Sequence, residues 1–130
     1  MNVNDVVGCE ISAIGRCLNL LWIIFKKDGL EYSFHIQCAW RIVINNKIFL
    51  TNIDLYEENG ERFDSQIKQL NLNKVEDIRI NECNDIKILF NDNSFMNVFV
   101  NDYDECWRFF QTGNTEIEHF VVYANKAEYE

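Results

Sequence analysis

Phe34-His35-Ile36-Gln37-Cys38-Ala39-Trp40-Arg41-Ile42-Val43-Ile44 is the stretch on which the fold reading turns. It alternates with period two. Phe34, Ile36, Cys38, Trp40, Ile42 and Ile44 share one face of a strand, and His35, Gln37, Ala39, Arg41 and Val43 share the other. The pattern predicts one strand from Tyr32 to Ile44. Its apolar side faces a core. Its other side carries an imidazole and an amide about 7 Å apart, with a guanidinium further along.

Strand signals continue on both sides of this run. Ile11 to Arg16 reads as a first strand, and Leu20 to Phe25 as a continuous β-prone run ending at the turn Asp28-Gly29. Asn45-Asn46-Lys47 is a second turn, after which Ile48-Phe49-Leu50 returns. Short turns join antiparallel neighbours, so this half predicts a meander. Val75 to Ile80, Ile86 to Phe90, Phe95 to Val100 and His119 to Tyr123 read as further strands. Helices are expected near both ends of the chain. Asn4 or Asp5 could cap a short one ending at Gly8. Asp102 could cap another, with Tyr103, Cys106, Trp107 and Phe110 at i, i+3, i+4 and i+7 on its buried face and Thr112-Gly113-Asn114 as its stop. Residues 54–73 form a polar middle, with a loop over 57–61 and a short helix capped by Asp64 or Ser65. Lys126 to Glu130 reads as a polar tail. The expected fold is α+β: a mainly antiparallel sheet of about seven or eight strands, one C-terminal helix and a short N-terminal one, all in a single domain over 1–130. The expected core includes Ile14, Leu21, Ile23, Phe34, Ile36, Cys38, Trp40, Ile42, Ile88, Phe90, Phe99, Trp107, Phe110, Phe120 and Val122.

The 130 residues carry 21 acidic and 12 basic side chains, a formal net charge of −9. That charge argues against nucleic acid, whose phosphates need concentrated positive charge. It suits an acidic surface that attracts a basic protein. The five cysteines are odd in number and widely spaced, and the N-terminus reads as no secretory signal. Reduced thiols in a cytoplasmic protein are expected. No apolar run is long enough to span a bilayer, so no membrane partner is expected.

Chemistry-bearing motifs are sparse. His35 and Cys38 are three apart, which on a strand sends them to opposite faces, so no metal is expected from them. Cys38 and Cys106 sit on apolar faces and read as inert thiols. The five glycines are scattered singly, so no phosphate-cradling loop can be written. No cofactor and no catalytic residue are expected. Candidate ligand- or partner-binding residues are His35, Gln37 and Arg41 on the polar strand face, Asp54 as a neighbour of Arg41 brought round by the meander, and His119 on the last strand. The structural alternative for Asp54 is an ion pair or a turn-forming role.

Gln37-Cys38-Ala39-Trp40-Arg41-Ile42, followed by Asn52-Ile53-Asp54-Leu55-Tyr56 and Glu118-His119-Phe120-Val121-Val122, resembles a group of small, uncharacterised bacterial cytosolic proteins. In that group a Gln-Cys-x-Trp-Arg strand precedes an Asp-Leu-Tyr segment, and a Glu-His-Phe strand closes the domain. The resemblance carries over no catalytic residue. It implies a likeness to immunity proteins of bacterial toxin systems, by association of size and acidity. The leading expectation is therefore a non-enzymatic binding protein that neutralises a basic partner through an acidic surface. The alternative is a small-molecule-binding domain or hydrolase that uses His35, Gln37, Arg41 and Asp54. A homodimer through an exposed sheet edge or face is compatible with either.

Overall fold

The computed structural model describes residues 1–102 and 104–130. Eleven strands form two sheets: β1 (Glu10–Cys17), β2 (Leu20–Lys27), β3 (Leu30–Ile36), β4 (Ala39–Ile44), β5 (Lys47–Thr51), β6 (Val75–Ile80), β7 (Ile86–Phe90), β8 (Phe95–Phe99), β9 (Glu105–Gln111), β10 (Phe120–Tyr123) and β11 (Ala127–Tyr129). The first sheet has six strands in the order β1-β2-β3-β9-β10-β11, and the second has five in the order β5-β4-β8-β7-β6. The pairings are antiparallel throughout. Among the described residues the α-helical part is one short helix, α1 (Glu61–Ile67). The chain is thus a sheet-rich α+β protein, with more strands than the seven or eight expected.

The turns form where the side chains favour them. Asp28-Gly29 and Asn45-Asn46 all have positive φ, the backbone that closes tight hairpins, and Asn, Asp and Gly adopt it most cheaply. The inner faces of the two sheets enclose one core. Leu21, Ile23, Phe34, Ile36, Trp107 and Phe109 come from the first sheet; Trp40, Ile42, Met96, Val98, Ile88 and Phe90 come from the second. Trp107 also donates its indole N–H to the Asn84 carbonyl at 3.0 Å.

Several expectations fail here. The run from Tyr32 to Ile44 is not one strand. It breaks at Gln37-Cys38, so β3 belongs to the first sheet and β4 to the second. The amides of Gln37 and Cys38 both donate to the carbonyl of Cys106, at 2.9 and 3.3 Å, which makes that oxygen the pivot of the crossing. Inward parity survives the corner, so Phe34, Ile36, Cys38, Trp40 and Ile42 all remain buried. No Gly or Pro marks the break.

The expected C-terminal helix is β9. Trp107 and Phe109 point into the core while Arg108 and Phe110 point out, and a register shift against β10 allows Cys106 to be buried as well. Two adjacent buried residues at a bulge imitate helical spacing. Of the expected helix face, Tyr103 lies outside the described residues. Phe110 is half-buried on the outer face of the first sheet, and Phe99 is exposed on the outer face of the second, so neither belongs to the inner core. The expected polar tail supplies β11, paired with β10. At the N-terminus the short helix is a 3₁₀ turn, Val3–Val6, capped by Asn2.

Candidate functional site

The five residues singled out from the sequence fall in separate places. Because the chain changes sheets at Gln37-Cys38, His35 lies on the first sheet and Arg41 on the second. Gln37 is exposed at the corner between them. Arg41 donates to Asn97 Oδ1 at 2.9 Å, and its guanidinium lies 5.4 Å from the Phe99 ring centroid. Asp54 does not meet Arg41. Its carboxylate accepts the Thr51 amide at 2.8 Å and pairs with Arg62 at 3.2 Å. A 3₁₀ turn, Asn52–Leu55, explains this: Thr51 and Asp54 form a reciprocal capping box that satisfies the turn's free amides.

His35 and His119 do come together, on the outer face of the first sheet. Phe110 stands between them, edge-on to His35 at 4.9 Å and stacked on His119 at 4.3 Å between centroids. Arg108 is the register partner of His35. Arg108 holds Glu105 through two bonds, 3.2 Å from Nε and 2.7 Å from Nη2, and its Nη1 lies 2.9 Å from His119 Nδ1. A guanidinium only donates, so Nδ1 accepts and the neutral His119 carries its proton on Nε2. Burial is the main cause that lowers both imidazoles below their ordinary value, and the Arg108 charge adds to it. Both are therefore neutral at pH 7, and the one cation among them is already engaged by Glu105.

Sequence reasoning found the two histidines and missed Arg108, Glu105 and Phe110, which it had placed on a helix. Among the described residues, no group of three or more His, Cys, Asp or Glu side chains is placed to hold a metal. Cys38 is pushed up to about 12 by burial and by the neighbouring Cys106, so its thiol is not a nucleophile at neutral pH. Clefts of about 400, 440 and 420 Å³ lie elsewhere, and none of the five residues lines them.

A second feature is the excursion 52–67, which leaves β5 and returns through α1. Its buried side is small: Asp54, Leu55, Gly60 and Phe63. Phe63 is 1% exposed and meets the Trp40 indole edge-on at 6.3 Å. Arg16, reaching across from β1, donates to Asp64 at 2.9 Å through both Nε and Nη2, and to the Asn59 carbonyl at 3.0 Å. The tip is a left-handed turn, with φ of 52°, 56° and 78° at Glu58, Asn59 and Gly60. Glycine takes the φ of 78° at Gly60 most cheaply, and a Cβ there would also stand 2.5 Å from the Arg16 guanidinium carbon. Outward, the excursion shows Ile53 at 54% and Tyr56 at 44% exposure, next to exposed Glu57, Glu58 and Glu61. The sequence revealed this as an acidic loop. It did not reveal the two apolar side chains, since burial of Leu55 beside exposure of Ile53 and Tyr56 depends on how the 3₁₀ turn docks.

No family model, no curated protein and no solved structure matches the chain. Among the described residues, no helix is long and apolar enough to cross a membrane.

Proposed function

We propose that this chain is a non-enzymatic binding protein, of the immunity type, that neutralises a basic partner protein by presenting the acidic excursion 52–67. One observation carries the reading. Two exposed apolar side chains, Ile53 and Tyr56, sit among three exposed carboxylates on a segment held to the sheets by Phe63 and Arg16. Interfaces draw affinity from a few apolar or aromatic anchors, and charge around them sets the on-rate and rejects wrong partners. A pinned segment loses little entropy on binding. The net charge of −9 favours a cationic partner at long range. The hydrolase alternative has less support, because His35, Gln37, Arg41 and Asp54 do not converge.

The test has two stages. Immobilised protein and an Ile53→Ala, Tyr56→Ala, Glu57→Lys, Glu58→Lys variant are each exposed to lysate of the source cells at low salt. A protein retained only by the unaltered chain is then purified and its binding measured against salt, with hydrogen exchange read on both partners. The reading expects a basic protein, affinity that falls with salt, and protection over residues 52–61. Equal retention by the variant, or protection confined to other segments, overturns it.

A further inference from the structure

Backbone strain singles out two exposed turn tips. Among the described residues, eight non-glycine positions have positive φ. Five are asparagine and one is aspartate, the side chains that take this backbone most cheaply. The other two are Leu18, at φ 53°, and Glu58, at φ 52°. Leu18 closes the β1–β2 hairpin. Cys17 pairs with Leu20, which leaves Leu18-Asn19 as a loop with positive φ at its first member alone. That is the pattern of a type II′ turn, whose first central position ordinarily belongs to glycine. The hairpins closed by Asp28-Gly29 and Asn45-Asn46 do use residues that suit their backbone.

Leu18 gains nothing from burial at that place, since it is 82% exposed. An exposed leucine on an easy backbone is ordinary. An exposed leucine on a backbone that disfavours it costs the fold stability and returns no packing. Residues held in this way are concentrated at binding and catalytic sites, where the side chain acts on something outside the fold.

Arg16 brings the two tips to one corner. It stands two residues before Leu18, and its Nη2 donates to the carbonyl of Asn59, the neighbour of Glu58, at 3.0 Å. The same guanidinium holds Asp64, and α1 packs against β1. Two residues of chain span at most about 7 Å, and an extended arginine side chain adds about as much, so the Leu18 and Glu58 backbones lie within roughly 25 Å of each other. An interface of about 800 Å² per partner is a patch about 30 Å across, wide enough for one partner to cover both. The corner thus offers one large apolar side chain beside the exposed carboxylates of Glu57, Glu58 and Glu61. Arg16, the cation between them, is already paired with Asp64.

From this we infer that Leu18 is an anchor of the partner-binding surface: it enters an apolar pocket of a basic protein, and Lys or Arg side chains at the rim of that pocket meet the carboxylates of the adjoining excursion tip. The inference rests on the proposed function for the charge of the partner and adds a contact on a different element, the β1–β2 hairpin. A few well-packed anchors carry most of the energy of an interface, while the charges around them steer the encounter. A fold that keeps leucine where glycine suits the backbone better gives up stability for that contact.

Two measurements test it. In urea unfolding, Leu18→Gly is expected to match or exceed the midpoint of the unaltered chain, because glycine relieves the turn. A lowered midpoint shows that the leucine serves the fold and overturns the inference. Binding is then measured against the basic protein purified on the unaltered chain. Leu18→Gly is expected to weaken it about tenfold or more, mostly through faster dissociation, and Leu18→Met, which keeps an apolar side chain of similar size, by much less. Leu30→Ser is the control. Leu30 is also exposed but begins β3, at the far end of β2 from Leu18, and its loss is expected to leave binding unchanged. Binding by Leu18→Gly equal to that of the unaltered chain overturns the inference, as does a loss no greater than that of Leu30→Ser. The two readings fail separately. Partner retention that survives the excursion substitutions but not Leu18→Gly refutes the excursion as the surface, and the reverse refutes only the anchor at Leu18. A chain that captures no basic protein overturns both.

Discussion

Replacing Phe63 with alanine should release the excursion 52–67 and leave both sheets folded. Phe63 is 1% exposed on a helix of seven residues, and its ring meets the Trp40 indole at 6.3 Å. Truncating a buried Phe costs about 3–5 kcal/mol where the site cannot collapse. The other anchors are weaker. Leu55 is the one other buried apolar side chain of the excursion, and burying it is worth about 1.5–3 kcal/mol. The Arg16–Asp64 and Arg62–Asp54 pairs each have a side chain at least half exposed, and pairs of that kind contribute little. Ordering more than a dozen residues opposes all of these. Phe63 is therefore the strongest single anchor of the segment, and its loss exceeds what the rest can offset. The assay is native-state hydrogen exchange read by peptide. Protection over 52–67 should fall by about 100-fold or more, since about 1.4 kcal/mol is tenfold. Peptides from β3 and β9 should keep their protection, because Phe34, Trp107 and Phe109 pack their rings on one another while the Phe63 ring meets Trp40 of β4. Unchanged exchange over 52–67 would refute the reasoning. So would an equal loss across β3 and β9, which would make the excursion an integral part of the core. Phe63→Leu, which keeps most of the volume, should give a smaller effect in the same place.

Other outcomes follow from the same packing. Gly15→Ala should displace the half-buried Trp22 indole, since a Cβ there would stand 2.3 Å from one of its ring carbons; a loss of about 1–3 kcal/mol in urea unfolding and a shifted tryptophan emission are expected. Gly60→Ala should cost about 1–2 kcal/mol from the left-handed backbone alone, at a φ of 78°. The same change in an Arg16→Ala background should cost less than it does with Arg16 present, because the clash at 2.5 Å is then gone; equal costs would refute the contact. The pH dependence has a definite sign. His35 and His119 have folded-state values below the ordinary histidine value, so the unfolded chain binds their protons more tightly. Their contribution is fully present above about pH 6.5 and is lost as pH falls through the lowered values. Unfolding midpoints measured from neutral to mildly acidic pH should drop less for His119→Gln than for the unaltered chain, and an identical drop would refute the assignment.

The strands were legible in the sequence because each depends on local pattern. The continuous β-prone run Leu20 to Phe25 and the apolar-rich run Phe95 to Val100, with Asp28-Gly29 and Asn45-Asn46 as turns, depend only on neighbouring side chains and on φ preference. Even the inward set Phe34, Ile36, Cys38, Trp40 and Ile42 holds, since parity passes unbroken through the corner at Gln37-Cys38. β9 was not legible, because a register shift buries Cys106 beside Trp107 and produces a helical spacing on a strand.

The candidate sites divide along the same line. Sequence alone determined an acidic, sheet-rich chain with an acidic loop in its middle and a polar set drawn from His35, Gln37, Arg41, Asp54 and His119. Tertiary structure alone decided who meets whom. One carbonyl, that of Cys106, takes the amides of both Gln37 and Cys38 and turns the chain into the second sheet. His35 is thereby given to Arg108, Phe110 and His119, and Arg41 to Asn97 and the Phe99 ring. Asp54 goes to a capping box and Arg62. The physical reason is that side-chain parity is set by adjacent residues, whereas the choice of hydrogen-bonding partner strand is settled by residues far away along the chain, as when β3 pairs with β9.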